Sequence, residues 1–92
     1  MRQEYAEEIA LGALGWLAGQ ESLLEAFLNV SGADASQIRT IAQDAGFQTA
    51  ILDFILTQDE WVLGCAQDMG HRPEELVMAR AVLGGGDQMH WT

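Results

Sequence analysis

Metal-ligating and nucleophilic chemistry in this 92-residue chain would have to be built from one cysteine, two histidines and three serines. Zinc requires several soft or imidazole ligands at fixed spacing, and Cys65 with His71 forms only a Cys-x5-His pair across a helix end. His90 falls in the C-terminal tail. No metal or other cofactor is expected. As a nucleophile Cys65 has no evident base, and Ser22, Ser31 and Ser36 fall near helix starts or turns, where capping accounts for them. The run Gly84-Gly85-Gly86 is not a phosphate loop, because no strand precedes it and no Lys or helix follows. No catalytic residue emerges, so the chain is read as not an enzyme.

Asp53 is the one charge inside Ala50-Ile51-Leu52-Asp53-Phe54-Ile55-Leu56. Two readings are open. It forms a structural ion pair with Arg39 or Arg80, both of which sit on the inward stripe of otherwise apolar helices, or it marks the solvent side of its own helix. A planar guanidinium suits a bidentate carboxylate pair, although burying such a pair need not raise stability.

Fourteen Asp and Glu stand against four Arg and no Lys, a formal net charge of −10. Nucleic-acid binders draw much of their affinity from cations that neutralise phosphates, so direct contact with DNA or RNA is not expected. Many of the acids, among them Glu4, Asp34, Asp59, Glu60, Glu74 and Glu75, fall in or beside the first turns of proposed helices, where they complement the helix dipole. The charge therefore serves caps and solubility, or it recognises a basic partner.

These side chains must be positioned by helices. Apolar residues recur at helical spacing in six segments punctuated by glycine. The first helix, from about Gln3 to Ala18, places Tyr5, Ile9, Ala13, Trp16 and Leu17 on one face, and Gly12 and Gly15 inside it suggest a closely packed neighbour. The second spans about Glu21 to Val30. Asp34 with Gln37 reads as a capping box for a third, which Gly46 ends. Phe47 to Leu56 forms a fourth, apolar around most of its circumference except for Thr49 and Asp53. Thr57 and Glu60 read as the capping box of a fifth, closed by Gly70, and Pro73 opens a sixth that runs to Leu83. The fold expected is all-α, a compact bundle of about six short helices in a single domain over residues 1–84, with a flexible tail over 85–92.

A shift of 38 residues lays the first three helices over the last three, Gly32 over Gly70 and Gly46 over Gly84. Only four identities fall in that alignment, little better than chance, and what matches is the order of apolar helix, amphipathic helix, glycine, short cap, helix and glycine, so two pseudo-repeated three-helix units are one reading and ordinary helix punctuation the other. The glycine-containing turns raise the question of a helix-turn-helix, but the third helix offers little beyond Arg39, Gln37 and Gln43, and the sixth opens with glutamates.

Ile9 to Ala18 is too short for a membrane span, which takes about 20 apolar residues. The acidic start is unlike a signal peptide, and a single cysteine suits a reducing compartment, so a cytoplasmic location is expected. The stretch Ala6-Glu7-Glu8-Ile9-Ala10-Leu11-Gly12-Ala13-Leu14-Gly15-Trp16-Leu17-Ala18, together with Leu52 to Leu56 and Pro73 to Gly85, resembles an uncharacterised bacterial domain-of-unknown-function family of short, acidic, helical proteins. That resemblance implies a bacterial cytoplasmic setting and an independently folding chain, and it brings no activity or ligand with it.

The function expected is a non-enzymatic helical protein–protein interaction module, binding an unknown protein partner or a second copy through apolar contacts ringed by acids. Leu11, Leu14, Leu52, Leu56, Trp61 and Trp91 are the candidate contacts, since large apolar anchors carry interface energy, and for Leu11, Leu14, Leu52 and Leu56 the other reading is that they line a second layer inside the fold. Two alternatives stay open: a small apolar ligand- or lipid-binding bundle lined by the first and fourth helices, and an acidic antagonist of a nucleic-acid-binding protein.

Overall fold

A computed structural model describes residues 1–84, except for the side chain of Glu21. Six α-helices follow in chain order: α1 (Gln3–Ala18), α2 (Glu21–Ser31), α3 (Ile38–Ile41), α4 (Ala45–Leu56), α5 (Asp59–Met69) and α6 (Pro73–Leu83), with a 3-10 turn at Ala35–Gln37 leading into α3. The all-α bundle expected from the periodicity is observed. The radius of gyration is 12.4 Å, against about 12 Å for a compact chain of this length. The tail 85–92, with Met89, His90 and Trp91, lies outside the described residues.

α1, α4 and α6 pack against one another and form the centre, with α2 and α5 laid on them. Small residues set this geometry. Ala6, Ala10 and Ala13 on α1 and Ala79 on α6 are fully buried, which lets the helices approach closely, while Ile9, Leu17, Ile51, Leu52, Ile55 and Leu76 fill the space between them. Phe27 brings α2 onto α4, its ring 5.6 Å from that of Phe47 and 5.4 Å from that of Phe54.

Gln48 is the exception in this core, buried at 1% exposure. Its Nε2 donates to the Ala42 carbonyl at 2.9 Å and ties α4 to the loop before it. Its Oε1 finds no partner among the described residues.

The 38-residue spacing is visible in the elements. α2 shifted by 38 coincides with α5, and each ends on a left-handed glycine, Gly32 at φ 75° and Gly70 at φ 76°. The third helices break the correspondence. α6 runs for 11 residues and packs on both α1 and α4, whereas α3 is a single turn with little contact beyond its own 3-10 lead-in.

Several boundaries differ from the expectation. Gly46 does not end α3. That helix stops at Ile41, and Asp44 caps α4 by accepting the Phe47 N–H at 2.9 Å, which puts Gly46 in the first turn of α4. Asp34 accepts from Ser36 N–H at 3.2 Å and caps the 3-10 turn, with no reciprocal bond from Gln37. Thr57 turns back on α4, donating to the Phe54 carbonyl at 2.7 Å, and Gln58 stands at the α5 cap position. At α6 it is Glu75 that reaches back, accepting the Arg72 N–H at 2.8 Å behind Pro73 at the first position. A methyl group added at Gly12 would meet only the end of the Met69 side chain, and at Gly15 nothing lies within 4 Å, so neither glycine marks close backbone packing.

Candidate functional site

α4 buries Phe47, Gln48, Ile51, Leu52 and Ile55, and helical geometry then turns the Ala45, Thr49, Asp53 line and the Gly46, Ala50, Phe54 line outward. Most of these side chains are small, so the outer face of α4 is the floor of a trough. One cleft of about 430 Å³ lies between it and the end of α6, against Arg80, Leu83 and Gly84. A second, of about 280 Å³, lies between it and the end of α2, against Phe27, Val30 and Ser31. Ala50 and Asp53 line both, so the two clefts adjoin on the outer face of α4 and together border it as a groove.

Asp53 crosses this groove to α6. Its two carboxylate oxygens accept from Arg80 Nε at 2.6 Å and Nη2 at 3.3 Å, a side-on bidentate pair. Asp53 keeps 52% of its side chain exposed and Arg80 26%. Both sequence readings of Asp53 are thus realised together: it is on the solvent side of α4 and it is paired. Arg80 is its partner, while Arg39 is exposed on α3.

The apolar wall of the groove rests on a row of aromatic rings. Phe54 packs against Phe27 on one side and stacks on Trp61 on the other, with centroids 5.0 Å apart and planes at 26°. Val30 stands at the end of this wall with 77% of its surface exposed.

A second polar cluster joins α1 to the start of α6. The Tyr5 hydroxyl donates to Glu75 Oε2 at 3.0 Å and lies 3.2 Å from His71 Nδ1, which is itself 3.4 Å from Glu75 Oε1. The bond to Glu75 raises the pKa of Tyr5. The phenol therefore holds its proton, and the trio is a clasp between helices rather than an activated nucleophile. A similar tie joins α1 to α5, where Trp16 Nε1 donates to Asp68 Oδ2 at 2.9 Å.

Cys65 is buried against Met69, its Sγ 3.4 Å from the thioether sulfur. Burial, with the charge of Asp68 second, pushes its thiol up to about 11. Such a thiol is protonated at neutral pH and a poor nucleophile. Among the described residues no group of three or more His, Cys, Asp or Glu is arranged to hold a metal ion, and no helix is long and apolar enough to cross a membrane.

The candidate contacts named from sequence fall mostly into the packing. Leu52 is fully buried within the core cluster, which corrects its assignment as a surface contact. Leu14, Leu56 and Trp61 pack half-buried against the core, and Leu11 is half-buried on α1. Trp91 is outside the described residues. The groove was not assembled from sequence. Its one legible trace was the narrow strip of Thr49 and Asp53 on an apolar helix, whereas Phe27 and Val30 arrive from α2 only through folding.

The DUF3572 family profile, described as a protein of unknown function, matches residues 3–86, and the chain belongs to that family. No curated protein and no solved structure gives a significant match.

Proposed function

We propose that this DUF3572 member is a non-enzymatic protein–protein interaction module of the bacterial cytoplasm and that the groove along α4 is its docking face. The observation that carries this reading is the groove itself: a floor of small residues, walls that include Phe27, Phe54 and Leu83, and one ion pair at its centre. Exposed apolar surface rimmed by polar groups, such as Val30 beside Phe27 and Phe54, marks interaction sites. The chemistry of the remaining side chains agrees. Tyr5 is held protonated by Glu75 and Cys65 by burial, so neither is prepared for nucleophilic attack. The lone buried cysteine also fits a reducing compartment.

A site-specific crosslinker tests it. A photoreactive residue in place of Thr49, on the groove floor, is expected to capture a discrete protein adduct in cells, while the same residue in place of exposed Gln67 on α5 captures none. Equal, diffuse labelling from both positions, or none from Thr49 and from Val30, would count decisively against the groove as a docking face.

A further inference from the structure

The groove constrains the shape and charge of what it can hold. Its floor runs from Ala45 to Thr57, the ends of the two clefts. The twelve residue-to-residue steps between these ends advance about 18 Å in an α-helix, more than three turns of a second helix. The described backbone around it is helical and already internally hydrogen-bonded, so an extended peptide would find no sheet edge to join. A helix needs no such edge. It supplies side chains at i, i+3, i+4 and i+7, and the small Gly46 and Ala50 on the floor allow it to approach closely.

Charge narrows the partner further. Asp53 sits where the two clefts meet, and Asp44 caps the end of α4 at which Gly46 opens the larger one, its Oδ2 3.0 Å from where a Cβ on Gly46 would lie. Arg80, the one cation among the lining residues, is already engaged with Asp53. The chain as a whole carries a net charge of −10 and no lysine. A field of that sign repels a second copy of the chain and attracts cations.

We propose that the α4 groove binds a cationic amphipathic helix of a partner protein, with the apolar stripe seated between α2 and α6 and basic residues along its flanks. This rests on the docking-face reading above and adds the partner's secondary structure and charge.

The probe is an 18-residue helical peptide of leucine and lysine, fluorescently labelled, titrated onto the full chain beside two counterparts in which glutamine or glutamate replaces lysine. The lysine peptide is expected to bind at least tenfold more tightly than the glutamate one, and to weaken as salt rises. Ala50→Trp, which fills the groove, and Thr49→Lys, which places a like charge in it, are each expected to weaken the lysine peptide tenfold or more while leaving the helical circular-dichroism signal intact. Of these two, only Thr49→Lys should spare or improve binding of the glutamate peptide.

If the glutamine and glutamate peptides bind in the groove as well as the lysine peptide, the charge inference falls and the docking face survives. If the lysine peptide binds the native chain and both variants equally, its attraction is to acidic surface at large, and both readings fail. Failure of all three peptides to bind overturns both as well. A solution mass of two chains that reverts to one in Ala50→Trp would assign the groove to a second copy and overturn the cationic partner.

Discussion

Glu75 accepts the Arg72 N–H and the Tyr5 hydroxyl, and these bonds, with His71 beside it, hold its carboxyl below the ordinary value. The folded pKa is below the unfolded one, so the stability the carboxylate contributes is present above the unfolded value and is lost as pH falls through the folded value. The thermal midpoint of the native chain should therefore drop more steeply than that of Glu75→Gln between about pH 5 and pH 3. Parallel curves would mean the clasp contributes nothing in the acid range. Cys65 makes a second residue-scale prediction. With its thiol pushed up to about 11 and buried, iodoacetamide at neutral pH should leave the folded chain unmodified and alkylate it in urea, read by intact mass. Equal labelling in both states would show that α5 is not packed as described. The clasp is not visible in residue order, because Tyr5 and Glu75 stand 70 positions apart and meet only when α6 packs on α1, whereas the apolar helical pattern around Cys65 already points to a buried side chain.

Glycine separates two roles at the scale of the helix. Gly32 and Gly70 end α2 and α5 with positive φ, where a Cβ crowds the following carbonyl. Gly15 sits within α1 with open space around it. Gly70→Ala should cost about 1–2 kcal/mol, while Gly15→Ala should add about 0.5–1 kcal/mol. Urea unfolding of the two variants reads both signs. A loss at Gly15 would reveal a neighbour that packs there. The glycine punctuation located the helices well, but it could not separate a terminating glycine from an ordinary one. Gly46 is the instructive case: Asp44, two residues earlier, takes the Phe47 N–H and starts a helix where a stop was expected. Capping competes among adjacent polar residues, and local sequence leaves several of them equally eligible.

For the molecule as a whole, α6 is the element on which the bundle depends, since it packs on α1, α4 and α5. Leu76→Ala removes a fully buried side chain from that position and should cost about 2–5 kcal/mol, a large part of the about 5–15 kcal/mol typical of native domains. Val77→Ala, one residue on and exposed, should stay within about 0.5 kcal/mol. Equal urea midpoints for the two would deny α6 its central place. Sequence by itself determined the all-α class, the approximate extent of five of the six helices, the apolar circumference of α4, and the strong negative charge, because each is set by residues within a turn or two of one another or by composition. It also placed Asp53 beside Arg80 as one of two possible pairs. Tertiary structure decided which arginine, which leucines are core, and that Phe27, Val30, Ala50 and Leu83 border one groove. A helical pattern shows that a face is apolar without naming what covers it, and Leu52 and Val30 differ in burial only because the bundle core closes over one and nothing described closes over the other.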